Sequence, residues 1–420
     1  MIVAVVLAVV VLGGGVLYWR SSAAATTESV TAAPGTFPQP PSSAATVPAG
    51  FTQAWREPSA ATSAPLVVGP AVVTADGGAV TGRDATTGTA HWSYTRTAQL
   101  CTAGSGFGEV MALYRNHDAT ACSELTVLAP SSGARRAQSN PDALPGTRLL
   151  DTGTLVAITG ANYVQVVRSD LVKTTEYGTV VTPDQPGRQP RPDCDFGSFA
   201  VTQGRLAVLE RCPGESDDRL TVVAPDGGSD ATTPSVVFSQ PQPGPHGQVV
   251  AASGDRVAVA RPAPARLEVV DGQGNLVSTF AVPVPDADLA ADPPGGVART
   301  TSDNQHIYWW TGSATVAIDR SDLTPAWTLP DTSGPAVRYG DSVLVPVRGA
   351  AGREPGDGRR RPDHPGRPRQ LDGAGGPGRG RVGPARTARP RAGRAHPGAL
   401  IRPGGTGRRG PAVRTAQKSQ

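Results

Sequence analysis

The sequence has few aromatic residues, almost no lysine, and no stretch that keeps a helical period. Aromatic side chains make up 5% of the 420 residues. Val and Thr are frequent, and Gly (51) and Pro (41) punctuate the chain throughout. Without long periodic segments a helical bundle is excluded, and many short strands joined by turns are expected instead. Lysine occurs at only two positions, Lys173 and Lys418, among 39 basic side chains. With the Ala, Gly and Pro bias, this points to GC-rich coding DNA.

The chemical motifs are missing too. There is no G-x-S-x-G, no H-E-x-x-H, no G-x-x-x-x-G-K-[ST] and no C-x-x-C. Hydrolase, zinc-protease and nucleotide-binding chemistry therefore has no legible footing. His91 and His117 stand alone, and the Gly-rich GSGFG at 104–108 reads as a tight turn. The acidic run Asp286, Asp288 and Asp292 lacks the spacing and terminal Glu of a calcium loop and reads as solvated.

What is present begins with charge. Residues 351–420 hold 16 Arg, one Lys and four acids, a net of +13; the whole chain carries +4, so residues 1–350 carry −9. The basic segment, taken from 349, has no Phe, Tyr, Trp or Cys, and reads as a disordered Arg/Gly/Pro-rich tail. Its composition changes abruptly after Val347. A one-nucleotide slip of reading frame there would explain the change. In the shifted frame the stretch can encode an Asn-Pro-Ala-Thr-Gly turn and a following strand.

Residues 2–19 are uncharged and apolar, ending in Tyr18, Trp19 and Arg20. A helix of that length rises ~27 Å, near the ~30 Å of a bilayer core. The expectation is one amino-terminal transmembrane anchor over residues 1–20, rather than a cleaved signal peptide ending near Ala25. The true start is expected upstream, with a basic segment. Residues 21–49, rich in Ala, Ser, Thr and Pro, read as a stalk.

From residue 50 a phrase recurs. Residues 79–92 read AVTGRDATTGTAHW and residues 314–327 read ATVAIDRSDLTPAW. Asp84 and Trp92 are spaced as Asp319 and Trp327 are. Asp84 can bond its own turn, Gly88 supplies a positive φ, and Trp92 opens the next strand with a large apolar face. Strand-like runs recur about every 40–50 residues, the period of four-stranded propeller blades.

The phrase DATTGTAHW resembles the repeat of PQQ-type, quinoprotein dehydrogenase-like β-propellers. The resemblance covers residues 50–348 and implies an all-β propeller of seven to eight four-stranded blades. It also implies that Trp55, in FTQAW, is the tryptophan of the last blade, donated by the amino terminus. Anchor, stalk and degenerate propeller together resemble membrane-anchored actinobacterial envelope proteins of that superfamily. If the tail is a frame product, the last blade is incomplete and the ring open.

Cysteine is scarce but even in number: Cys101, Cys122, Cys194 and Cys212. In an exported chain this favours disulfides, and local pairing gives Cys101 with Cys122 and Cys194 with Cys212. The alternatives are a metal site, with only His117 close by, or free thiols. Active quinoprotein dehydrogenases carry adjacent cysteines beside the cofactor, which this chain lacks. Trp309 and Trp310 would fill opposite faces of one strand rather than floor a quinone site.

The reading is a non-enzymatic binding or assembly scaffold in the cell envelope. Its propeller would lie outside the membrane, with an envelope protein as partner, no cofactor and no catalytic or metal residue. One alternative is a PQQ/Ca²⁺-dependent oxidoreductase. The other is charge-driven binding of an anionic polymer by the tail; no nucleic acid is expected.

Overall fold

The computed structural model describes residues 13–15, 25–39, 46–48, 50–180, 186–226, 232–348, 399–403 and 413–416. All of the expected anchor but residues 13–15, and most of the basic tail, lie outside these residues. No helix among the described residues is long and apolar enough to cross a membrane.

The chain folds as a succession of antiparallel meanders, each built from strands consecutive in sequence. The first sheet runs Leu66–Val68, Ala71–Asp76, Ala79–Arg83, Ala90–Thr95 and then Glu28–Val30. The second runs Leu100–Gly106, Glu109–Tyr114, Glu124–Leu128 and Arg135–Ser139. The third runs Leu149–Asp151, Leu155–Ile158, Tyr163–Arg168 and Lys173–Gly178. The fourth runs Asp195–Val201, Leu206–Arg211, Asp218–Val223 and Val236–Gln242. The fifth runs Gln248–Ser253, Arg256–Arg261, Arg266–Val270 and Leu276–Ala281. The sixth runs Arg299–Ser302, His306–Trp310, Ala314–Asp319 and Pro325–Pro330.

A seventh, three-stranded sheet joins Val337–Tyr339 and Ser342–Pro346 to Val413–Ala416. A separate pair is made by Phe51–Arg56 and Ala399–Pro403. Two short strands thus fall within the basic segment.

One physical cause sets this architecture. The middle strands are apolar on both faces, as in the fully buried Val156, Ala157, Ala207 and Val208. A single meander cannot cover two apolar faces, so the sheets stack face to face. One cluster spans the third and fourth sheets through Leu155, Tyr177, Phe199 and Leu206. Another spans the fifth and sixth through Val250, Leu267, Trp309 and Val316. Six meanders and a partial seventh match a propeller, and among the described residues no strand pairing joins the first sheet to the seventh.

The recurring phrase is the joint between neighbours. The Trp92 indole N–H donates to the carbonyl of Pro130 at 2.8 Å, in the turn of the second sheet. Its ring lies over Gly133, where a Cβ would meet it at 2.7 Å. Trp55 repeats the geometry one sheet earlier. Its N–H donates to Ala85 O at 3.1 Å, and its ring lies over Gly88, where a Cβ would meet it at 2.6 Å. Both turn glycines have positive φ, 70° and 74°. Any side chain there is doubly opposed, by backbone and by indole.

Degenerate repeats change the docking group rather than the dock. Thr175 donates its hydroxyl to Pro225 O at 3.0 Å. Phe238 lies over Gly274, where a Cβ would meet it at 2.8 Å. Trp327 packs against Tyr308 at 5.9 Å between ring centroids.

Trp55 thus sets Phe51–Arg56 against the first sheet. Phe51 meets Tyr339 of the seventh edge-on at 6.1 Å. This strand connects the two ends of the series.

Asp84 holds its turn by accepting four hydrogen bonds, from the N–H and hydroxyl groups of Thr86 and Thr87. Burial opposes the charge, but these bonds outweigh it and lower the carboxyl from 3.8 to about 2. A depressed carboxyl stabilises the fold above its unfolded value near 4. That contribution is lost as pH falls from ~4 towards 2. Asp84→Asn is expected to cost about 2 kcal/mol at neutral pH and to flatten acid unfolding in that window. Chemical denaturation at a series of pH values checks both.

The stalk expectation changes for part of its length. Glu28–Val30 pairs antiparallel with Ala90–Thr95. Ala32 N–H donates to Ser132 O at 3.0 Å, and Phe37 meets His91 at 4.6 Å. An open sheet edge offered unpaired N–H and C=O groups, and Glu28–Val30 satisfies them while its side chains, Glu28 included, stay exposed.

Candidate functional site

The first strands of the third to sixth sheets line a cavity of about 620 Å³. Phe199, Val250, Val297 and Ile307 give its wall apolar patches, while its hairpin tips present Asp151, Thr152, Gln203, Ser253 and Arg320.

The connection from the fifth to the sixth sheet crosses the end where these strands begin. Asp288 accepts from the Ser313 N–H at 3.0 Å and from the Thr311 and Ser313 hydroxyls at 2.6 Å. Gln248 donates to Leu289 O at 3.0 Å and Ala291 O at 2.6 Å. Arg211 grips Asp292 through two 2.7 Å bonds. Thr159 donates to Gly295 O at 3.2 Å. The segment is thereby tied in turn to the sixth, fifth, fourth and third sheets. The cavity opens at the opposite end, among the hairpin tips.

Residues Asp286, Asp288 and Asp292 accordingly do not converge on one point. Asp288 faces a hairpin of the sixth sheet and Asp292 an arginine of the fourth. DADLAADPPGG, which reads in sequence as a solvated loop, is a structural strap. Its Pro-Pro-Gly-Gly end could have flagged a fixed path, because Pro293 and Pro294 restrict the chain and Gly295 and Gly296 take positive φ.

Cys101 bonds Cys122, and Cys194 bonds Cys212. Glu210 lies within 4.8 Å of both Cys194 and Cys212, but its carboxylate is held by Tyr177 and by Arg191, the latter at 2.9 Å. Burial, then the Glu210 charge, pushes the Tyr177 hydroxyl well above its usual range, so it stays a donor. With both sulfurs in a disulfide, the group is inter-sheet cement rather than a ligand set. Asp319 accepts from the Ser321 N–H at 2.7 Å, the role Asp84 plays in its own turn. Trp309 is buried between the fifth and sixth sheets, while Trp310 donates to Thr332 O at 3.3 Å and carries Arg299 over its ring at 5.1 Å.

A PQQ site needs an aromatic floor and a set of calcium-binding oxygens. The cavity offers one carboxylate, Asp151, already accepting from Gly153 N–H at 2.7 Å and from the Ser105 hydroxyl at 3.2 Å. Its only lining ring, Phe199, packs edge-on against Phe196 at 5.7 Å. The residues present do not fit that cofactor, and no chemical step is derived through it.

No family model matches the chain, and no curated protein does. Among solved structures, it is similar to BamB from Moraxella catarrhalis at 14% identity and a TM-score of 0.42, covering 71% of this chain and 85% of that one. It is similar to the computationally designed Ika8 protein at 9% identity and a TM-score of 0.43, covering 70% and 96%. It is also similar to apo AztD from Citrobacter koseri at 14% identity and a TM-score of 0.34, covering 61% and 63%. Identity and TM-score are both low in all three, so the propeller assignment rests on this chain's own sheet order and docking turns.

Proposed function

We propose that the protein is a binding or assembly scaffold of the cell envelope, held by the amino-terminal span, with its propeller on the extracytoplasmic side. The hairpin-tip mouth of the central cavity is its binding surface. The observation that carries this reading is how the charges are used. Buried charged groups such as Asp84, Glu210, Asp218, Arg261 and Glu268 are tied into turns or sheet-to-sheet joints. The cavity mouth presents one acid, Asp151, and one base, Arg320, beside hydroxyl, amide and glycine groups, with apolar side chains further in, which suits a protruding protein loop. The two disulfides support an oxidising compartment.

The reading is tested by reconstitution with PQQ and Ca²⁺ followed by dye-linked oxidation of alcohols and sugars. No turnover above the protein-free control is expected. Saturable turnover that requires both additions would overturn the scaffold reading in favour of an oxidoreductase.

A further inference from the structure

The buried Arg261 has two carboxylates in reach, Glu268 at 2.6 Å and Asp218 at 3.5 Å. Two arginines at the strapped end of the cavity have none. Arg148 immediately precedes the first strand of the third sheet, and Arg299 opens the first strand of the sixth. The strap lies between them. A Cβ on its Gly295 would meet Arg148 Cγ at 2.7 Å and Nε at 3.3 Å, and Arg299 follows closely on the same stretch of chain.

Among the described residues, no carboxylate comes within ion-pair distance of either guanidinium. Arg148, half-buried, spends one of its five N–H donors on Thr147 O at 2.9 Å. Arg299 stacks over the Trp310 ring at 5.1 Å and donates no side-chain hydrogen bond among these residues. The neighbouring Thr147 hydroxyl is buried and likewise has no partner among them. Burial, then the charge of Arg299, pulls the Arg148 guanidinium below its usual range. The strap's own acids are no remedy. Asp288 is held by Thr311 and Ser313, Asp292 by Arg211, and Asp286 is exposed.

We propose that Arg148 and Arg299 together bind a phosphate-type oxyanion at the strapped end of the propeller. Two guanidinium charges with free donors match a dianion of several acceptor oxygens better than a single carboxylate. Such an ion supplies the counter-charge that a half-buried guanidinium lacks, and it screens one arginine from the other. It also links the third and sixth sheets beside the strap, at the end opposite the open mouth.

The test is calorimetric titration and melting of the full-length protein in neutral detergent, at about pH 8, where phosphate is a dianion. Sodium phosphate is compared with sodium chloride of equal ionic strength. A dissociation constant on the order of 1 mM is expected, so ~10 mM phosphate should raise the melting temperature by about 2–4 °C. Arg299→Gln, at an exposed position, should melt no lower than the native chain in chloride and should lose the phosphate shift. Arg148→Gln should weaken binding at least ~tenfold. Arg135→Gln, exposed on the second sheet, is the control and should keep native affinity. The basic segment is present in every variant, so the difference between variants is what is read. Glycerol phosphate is titrated beside inorganic phosphate, and the tighter of the two tells whether the site takes an ester or the free ion. A native chain that responds to phosphate no more than to chloride would overturn the proposal. So would an equal phosphate shift in Arg299→Gln, or acetate that acts as strongly as phosphate.

Discussion

Trp92→Ala is expected to destabilise the protein by about 3–5 kcal/mol and to broaden its thermal transition. Trp92 is 1% exposed and packs in the first sheet's core. It touches Gly82 of its own sheet, where a Cβ would come within 2.0 Å of the indole, and Gly133 of the next. Its removal opens a cavity between two sheets that neither glycine can fill. It also leaves Pro130 O without its donor. Trp92→Phe retains most of the contact but not the N–H, so it should cost about 1–2 kcal/mol. Trp55→Ala should lie between them, because Trp55 is only half-buried. Calorimetry of the three variants checks the order. Equal costs for Trp92→Ala and Trp92→Phe would assign the joint to the hydrogen bond alone.

Arg261→Met is expected to cost about 3–5 kcal/mol, because it breaks a buried ion pair from one side. Arg261 is 1% exposed. It bonds Glu268 on the adjacent strand at 2.6 Å and Gly244 O in the preceding connection at 2.9 Å. It also approaches Asp218 of the fourth sheet at 3.5 Å. Without it, Glu268 keeps only Arg266, at 2.8 Å. Asp218 keeps the Gly247 N–H at 2.6 Å and Arg211 at 3.2 Å. The double variant Arg261→Met with Glu268→Leu should recover much of the loss, since paired charges cost nearly as much to bury as they return. Urea unfolding of the single and double variants is the measurement. A double variant that costs as much as Arg261→Met alone would show that the pair itself, not the orphaned charge, carries the energy.

Repetition was legible in the sequence because it is local. Asp84, Gly88 and Trp92 lie within one turn and its next strand, and each has a role there that elementary turn chemistry supplies. Trp55 was singled out only through the family resemblance, and its strand pairs with Ala399–Pro403; the disulfides were legible from the even count and local spacing of the cysteines. The strap was not, because nothing in DADLAADPPGG names its distant partners. Asp292 meets Arg211 across 81 residues, and Thr159 meets Gly295 across 136. The cavity was hidden for a similar reason. Its lining comes from first strands such as Leu149–Asp151 and Arg299–Ser302, which are too short to show a pattern. Part of the stalk was misread because its composition describes what a segment can bury, not which open edge it can complete.

The claim that the hairpin-tip mouth is the binding surface is tested most directly by site-specific photo-crosslinking in intact cells. A photoreactive residue at Gln203, exposed at the mouth, is compared with one at Arg135, exposed on the outer edge of the second sheet. The account predicts one discrete protein adduct from position 203 and none of that mass from 135. Adducts of equal mass and yield from both positions, or none from 203, would contradict it.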